Sequence, residues 1–270
     1  MTSPEHGAIS ANLTFEIDGV PFITGFAAPA DDVLTLVKTP DMVRRYRSLL
    51  EGFDRPLIME LGIAFGGSVA LLALLADPEL LLAVDLAPEK SPLLARLMKD
   101  RGLADRVHTH HGVDQANPEQ LLALTDLVFG DRPLDLVIDD ASHLYRESKV
   151  SFETLFPLVR PGGLYVIEDW KWSQEVVNAM YAAIDDPSSV WHDHVVAAVE
   201  AAGPEPPPPD TPLSRLAMEL VLARADSDDD LIERVSVDKH WIVIERGAGP
   251  LDPRTFSLDA LVLDHSRELR

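Results

Sequence analysis

Four residues of this chain have the types and spacing to do chemistry together: Asp140, His143, Glu168 and Asp169. The first pair follows the apolar run LDLVI (134–138) in the stretch DDASH, and the second follows LYVI (164–167). Asp140 precedes Glu168 and Asp169 by 28 and 29 residues, the length of one strand–helix–strand crossover. The two strands are then parallel neighbours, with all three carboxylates at one carboxyl-end rim. Crowded carboxylates raise one another's pKa unless a cation compensates. Oxygen ligands of this kind select a hard ion, Mg2+ first, with Mn2+ or Ca2+ able to substitute. His143, three residues past Asp140, turns back toward the same rim from the start of a helix. A neutral imidazole, with an ordinary pKa of about 6.5, can take a proton from an alcohol whose oxygen the ion polarises. Asp139 and Ser142 read as a strand-end acid and a helix N-cap. Tyr145, Trp170 and Lys171, with Trp172, follow the acids and could wall an acceptor pocket.

A second constellation lies upstream, in MELGIAFGGS (59–68). Gly62, Gly66 and Gly67 leave the turn without side chains, so that backbone N–H groups and the helix start beginning with Ser68 can approach a ligand closely. Glu60 would repel the pyrophosphate expected in a dinucleotide fold and suits a cationic cofactor instead. Asp85, 25 residues on at the end of the next strand, suits a ribose diol; Asp114 and Gln115, past the strand after that, could meet an exocyclic amine. Together these resemble the S-adenosyl-L-methionine site of class I methyltransferases. His108, His110 and His111 read as structural or adenine-side residues.

The elements that must position these residues are legible in the pattern. Residues 56–62, 80–86, 106–112, 134–140 and 163–169 read as strands of a parallel sheet covered on both faces. Helices are expected at 67–76, 91–102, 117–129 (Asn117 as N-cap, Pro118 at the first position) and 143–159. The alternation predicts an α/β, doubly wound, Rossmann-like fold. Residues 232–238 and 240–246 read as a late antiparallel pair. Further helices are expected near 173–185, 190–202 and 212–225, with a stiff exposed break at GPEPPPPDT (203–211). LTFEIDGVPFIT (13–24) reads as a hairpin turning at Asp18 and Gly19. The expected organisation is an N-terminal hairpin or arm at 1–35, a cofactor-binding domain at 36–250 with a helical, proline-rich insertion at about 187–228, and a tail at 251–270.

Composition narrows the field. The net charge of −22, from 45 acidic and 23 basic residues, opposes a phosphate backbone at long range, so nucleic acid is not expected as a partner. With no cysteine, disulfides and thiolate metal sites are excluded. The apolar runs are too short to span a bilayer and MTSPEHGAIS lacks the regions of a secretory signal, so no membrane partner and a cytoplasmic location are expected. Apolar residues in the hairpin and tail, without an evident core partner, suggest a homo-oligomer, a dimer or tetramer; packing within one chain would explain them equally.

MELGIAFGGS, VIDDASH and FPLVRPGGLYVIEDW (156–170) together resemble the magnesium-dependent sugar O-methyltransferases, a group of macrolide-sugar, rhamnosyl and methylmannoside enzymes with cephalosporin-biosynthesis relatives. The resemblance covers about residues 36–170, including LVKTPDMVRRYRSLL (36–50), which matches a helix able to cover the cofactor. It implies metal ligands Asp140, Glu168 and Asp169, general base His143, and methyl transfer to a saccharide hydroxyl of a glycosylated natural product or methylmannose-type oligosaccharide. Two other readings stay open. One is a catechol or phenol acceptor, which ionises more readily and leans less on His143; the other is a non-catalytic protein using the fold as a binding scaffold.

Overall fold

Strands that bury both faces need a helical layer on each side, and the chain supplies two. The computed structural model describes residues 13–25, 32–88, 90–171, 211–226 and 230–262. A seven-stranded sheet forms from β4 (Leu57–Leu61), β5 (Leu80–Asp85), β6 (Val107–His111), β7 (Leu134–Asp139), β8 (Val159–Glu168), β9 (Ile232–Val237) and β10 (Trp241–Arg246). Its order is β6-β5-β4-β7-β8-β10-β9. The first five strands are mutually parallel, and β10 pairs antiparallel with both β8 and β9. The order reverses between β4 and β7, and at such a switch point diverging loops open a crevice at the carboxyl ends of the strands.

Side chains alternate across the sheet with period two. Ile58, Leu81, Ala83, Leu136, Ile138 and Val166 face α1 (Pro40–Leu50), α2 (Gly67–Ala76) and α3 (Pro92–Asp100). Met59, Leu61, Leu82, Val84, Val137 and Ile167 face α4 (Pro118–Phe129), α5 (Tyr145–Leu155) and α6 (Ser214–Asp226). Local chemistry fixes the helix starts. Thr39, Ser91 and Asn117 each accept a hydrogen bond from the first turn that follows, with Pro40, Pro92 and Pro118 pre-setting φ. α2 has no side-chain cap: it begins at Gly66, left-handed with φ +87°, which leaves its first N–H groups unspent.

Several boundaries differ from expectation. The segment expected as one helix from 143 to 159 is α5 plus a 3-10 turn over Phe156–Leu158. Pro161, Gly162 and Gly163 lie inside β8, where a register shift opposite Leu134 and Leu136 absorbs the irregular backbone. The N-cap of α5 is Leu144 rather than Ser142, whose hydroxyl instead accepts from the Leu144 N–H at 3.2 Å. The hairpin β1 (Thr14–Ile17) and β2 (Val20–Thr24) gains a parallel third strand, β3 (Leu34–Leu36).

That small sheet is no detached arm, because Ile17, Val20, Phe22, Leu34 and Leu36 share one core with α1 and α2. Leu258, fully buried, joins the opposite core, with Phe256 packed against it. Among the described residues, these apolar side chains of the hairpin and tail find partners within the chain. The helices expected near 173–185 and 190–202, Trp172, most of the proline-rich break and most of the 187–228 insertion lie outside the described residues. No described helix is long and apolar enough to cross a membrane.

Candidate active site

The carboxyl ends of β4, β5, β6 and β7 border a cleft of about 440 Å³, lined among others by Gly62, Asp85, Asp114, Gln115 and Asp140, with Leu86, Val113 and Leu144 as apolar wall. Gly62 permits this arrangement. Its φ is +98°, and a Cβ there would collide with the carbonyl oxygen of Asp140. Gly67 is pressed as closely against the carbonyl of Thr35, which seats the start of α2 on β3. Glu60, fully buried in β4, has neither carboxylate oxygen in a hydrogen bond. Burial pushes its pKa up to about 8, against the opposing charge of Lys38 and a loose contact with Ser68.

Asp85 grips the glycine turn. One oxygen accepts from the N–H of Ile63 (2.7 Å) and Ala64 (2.8 Å), the other from Ala87 (2.7 Å). Asp114 closes its own turn by accepting from the Ala116 N–H at 2.8 Å. Both remain on the cleft wall. Gln115 lines the cleft as well, and its side-chain amide is held by protein partners. Its amide donates to Asp139 (3.2 Å) and Ser151 (3.3 Å) and accepts from the Ser142 N–H (2.8 Å). The physical reason is burial: Asp139, on the α5 side of the sheet and 1% exposed, must be hydrogen-bonded, and Gln115 with the Ser151 hydroxyl (2.9 Å) does so. Burial raises the Asp139 pKa. The same network ties down the loop that carries His143.

Asp140 is the first residue beyond β7, and Asp169 the first beyond β8. Their backbones are fastened to neighbouring strands, Asp140 N–H to the Leu61 carbonyl (2.9 Å) and Asp169 N–H to the His240 carbonyl (2.8 Å). Asp140, His143 and Asp169 each offer a ligand atom within 4.8 Å of the others, a set able to hold a metal ion. His143 Nε2 lies 3.9 Å from Asp140 Oδ1. His143 (φ +55°) and Asp169 (φ +47°) both have left-handed backbone, which non-glycine residues adopt at a cost that surrounding structure must meet. Burial, then the charge of Asp140, raises the Asp169 pKa.

Glu168, expected beside these two, does not join the converging set. It is fully buried, and Lys38, which the sequence reading did not single out, occupies one of its oxygens. Lys38 Nζ lies 2.8 Å from Glu168 Oε2 and 2.7 Å from Asp140 Oδ2. Burial alone would lower the lysine's pKa, but Asp140, Glu168 and Glu60 together hold it well above its ordinary value. Breaking a buried ion pair by removing one partner costs about 3–5 kcal/mol. The other Glu168 oxygen, Oε1, is buried without a well-formed hydrogen bond, and the Trp241 side chain makes a loose contact with the carboxylate. Only six lysines occur in the chain. One set between apolar Leu36-Val37 and a helix cap was the available signal.

The residues expected to wall the acceptor pocket divide. Trp170 donates from its indole to the Asp238 carbonyl (2.8 Å), beside the Arg45–Asp238 ion pair, at the edge of the rim. Lys171 is the last described residue of its segment and is half-buried. Tyr145 is committed elsewhere: its hydroxyl donates to Glu219 (2.7 Å) and accepts from Lys149 (3.2 Å), between α5 and α6. His111 meets the Ala87 carbonyl through Nδ1 (3.2 Å), and all three histidines of 106–112 stay on edge strand β6.

Comparison with known proteins follows this geometry. Residues 59–170, from β4 to the residue after Asp169, match the family described as Methyltransferase domain. The chain is 37% identical over 122 residues to the 8-demethyl-8-alpha-L-rhamnosyl tetracenomycin-C 2'-O-methyltransferase of Streptomyces olivaceus, covering 45% of this chain and 27% of that one. It is 65% identical over 37 residues to the mycinamicin VI 2''-O-methyltransferase of Micromonospora griseorubida, covering 14% and 9%. The matches thus span well under half the length of these relatives. Among solved structures, the O-methyltransferase of tomaymycin synthesis from Streptomyces achromogenes, in complex with S-adenosylmethionine, superposes with a TM-score of 0.50. It is 18% identical over 80% of this chain and 83% of that one. The fold is the Rossmann-like α/β fold of class I methyltransferases.

Proposed function

We propose that this chain, built on a methyltransferase domain at residues 59–170, transfers a methyl group from S-adenosyl-L-methionine to a saccharide hydroxyl with the help of a divalent ion, Mg2+ first. The observation that carries this reading is that Asp140 belongs to two structures at once. It lines the cleft and it heads the cluster with His143 and Asp169. The names of the relatives, O-methyltransferases of a rhamnosyl tetracenomycin and of mycinamicin VI, support a glycosylated natural product as acceptor.

The residues fit both absent groups. Partnerless buried oxygens on Glu60 suit the cationic end of the cofactor, with the Gly62, Gly66, Gly67 and Ser68 turn around it, Asp85 toward the ribose and Asp114 toward the base. Two carboxylates, Asp140 and Asp169, with His143 beside them, suit a hard ion. When bound, the cofactor supplies an electrophilic methyl and the ion makes a coordinated hydroxyl easier to ionise. The chain's own residues do the rest. Asp140 and Asp169 orient the acceptor hydroxyl beside the cleft, and His143 accepts its proton at Nε2. Leu86, Val113 and Leu144 keep the cofactor's flank dry.

The test is a panel of saccharide acceptors incubated with S-adenosylmethionine and Mg2+, then with chelator, read by mass spectrometry as a gain of one methyl. The expected result is methylation that the chelator abolishes and Asp140→Asn reduces. Cofactor binding by calorimetry with no methyl gained on any acceptor would instead mark a binding scaffold.

A further inference from the structure

We propose that Lys38 is the resident counter-ion of the carboxylate rim. It positions Asp140 and Glu168 by one oxygen each and keeps the rim assembled before any divalent ion arrives. The inference deepens the reading above and rests on it for the nature of the ion.

Beside a Glu60 that burial keeps protonated near neutral pH, three carboxylates crowd this rim, those of Asp140, Glu168 and Asp169. Their like charges would drive them apart in a dry environment. The ammonium of Lys38 is the cation in hydrogen-bond contact with two of them, at 2.7 and 2.8 Å, with a side chain only 1% exposed. It takes Asp140 Oδ2 and Glu168 Oε2. Asp140 Oδ1 is left on the side of His143 Nε2, and Glu168 Oε1 is left buried, with only a loose contact between its carboxylate and the Trp241 side chain. One oxygen of each carboxylate is therefore anchored, and the other oxygen of Asp140 lies toward His143, as expected of a group that orients a metal ligand from behind.

The chain goes to some length to hold this lysine. Its N–H bonds to the Leu36 carbonyl (2.8 Å), and Thr39 caps α1 immediately after it. Its ammonium also lies 5.2 Å from the centre of the buried Tyr46 ring, a favourable cation–π distance. Upstream, β3 is pinned where Gly67 meets the Thr35 carbonyl. A lysine so fixed is pre-organised and not a tail that swings in to fill a void. The N-terminal sheet, outside the matched domain, then has a catalytic consequence: it delivers the cation.

Lys38→Met keeps the length of the stem and removes the charge. In chelator, without cofactor, its melting temperature is expected to fall by about 10 °C. Addition of Mn2+ or Mg2+ should raise the variant's melting temperature by more than it raises the wild type's, because the ion then supplies charge compensation the lysine no longer gives. A fall of under about 2 °C, or an ion-induced rise no larger than in the wild type, overturns the proposal. The double variant Lys38→Met/Glu168→Gln removes the stranded carboxylate as well and is expected to recover at least half of the loss. A double variant no more stable than the single, including the case where neither folds, means that Lys38 merely fills space. Calorimetric binding of S-adenosylmethionine to the wild type reports separately on the methyltransferase reading, so either idea can fail alone.

Discussion

Gly62 and Asp140 touch backbone to backbone at the point where β4 and β7 end, with no room between them for a Cβ on the glycine. The contact sets the distance between the glycine turn and Asp140, so one small side chain should disturb both. Gly62→Ala meets a collision and a φ of +98° together, and is expected to cost about 2–4 kcal/mol. Gly102→Ala, with φ +65° and open space around it, should cost about 1 kcal/mol from strain alone. Equal losses in urea denaturation would mean that the close approach is not what Gly62 serves.

His143 has a left-handed backbone that asparagine tolerates well. His143→Asn should therefore fold as the wild type does while kcat on a saccharide falls by about 10²–10⁴-fold. The same variant should lose far less on a catechol, whose hydroxyl ionises near pH 10 like that of tyrosine. Comparable losses on the two acceptors, measured side by side, would remove His143 from the proton-transfer step.

Burial holds the Glu60 pKa at about 8, against an ordinary 4.5. Since the folded value is the higher one, the folded protein retains a proton that the unfolded chain has already released between these two pH values. The stability this contributes is complete below about pH 4.5, declines as pH rises toward 8 and changes no further above it. Glu60→Gln removes the titration, so cofactor-free stability in the variant should decline less between about pH 5 and pH 8. Denaturation curves at the two pH values decide the matter; parallel declines in both proteins count against a raised pKa.

Tyr145 follows His143 by two residues, yet its hydroxyl is spent on Glu219 and Lys149. Tyr145→Phe should cost about 1 kcal/mol of stability and leave the acceptor KM unchanged. A KM raised severalfold at unaltered stability would return Tyr145 to the acceptor pocket.

These outcomes track what was legible in the sequence. The order and type of the central strands, the caps at Asn117 and Pro118 and the late antiparallel pair follow from local pattern, because each depends on residues adjacent in sequence. Asp140 and Asp169 could be brought together on paper because one crossover length relates them. Lys38 could not, since its partners lie 102 and 130 residues away and no periodicity encodes that meeting. The protein partners of Gln115 were hidden for a related reason. An amide at a strand exit suits a ligand as well as it suits a buried acid, and only the inward direction of Asp139 decides between them. The partners of Tyr145 were hidden because position along a helix start does not tell which neighbouring helix will claim a hydroxyl.

The pairing of β8 with β10 has one more consequence. Asp169 is fixed through the carbonyl of His240, and Glu168 stands opposite Trp241 in the ladder. A growing polypeptide that has already made every acid of the centre still lacks the strand that braces two of them. The cluster therefore gains its frame only once residues near 246 have emerged from the ribosome, and a nascent chain released shortly before that point would carry these side chains without the strand that aligns them.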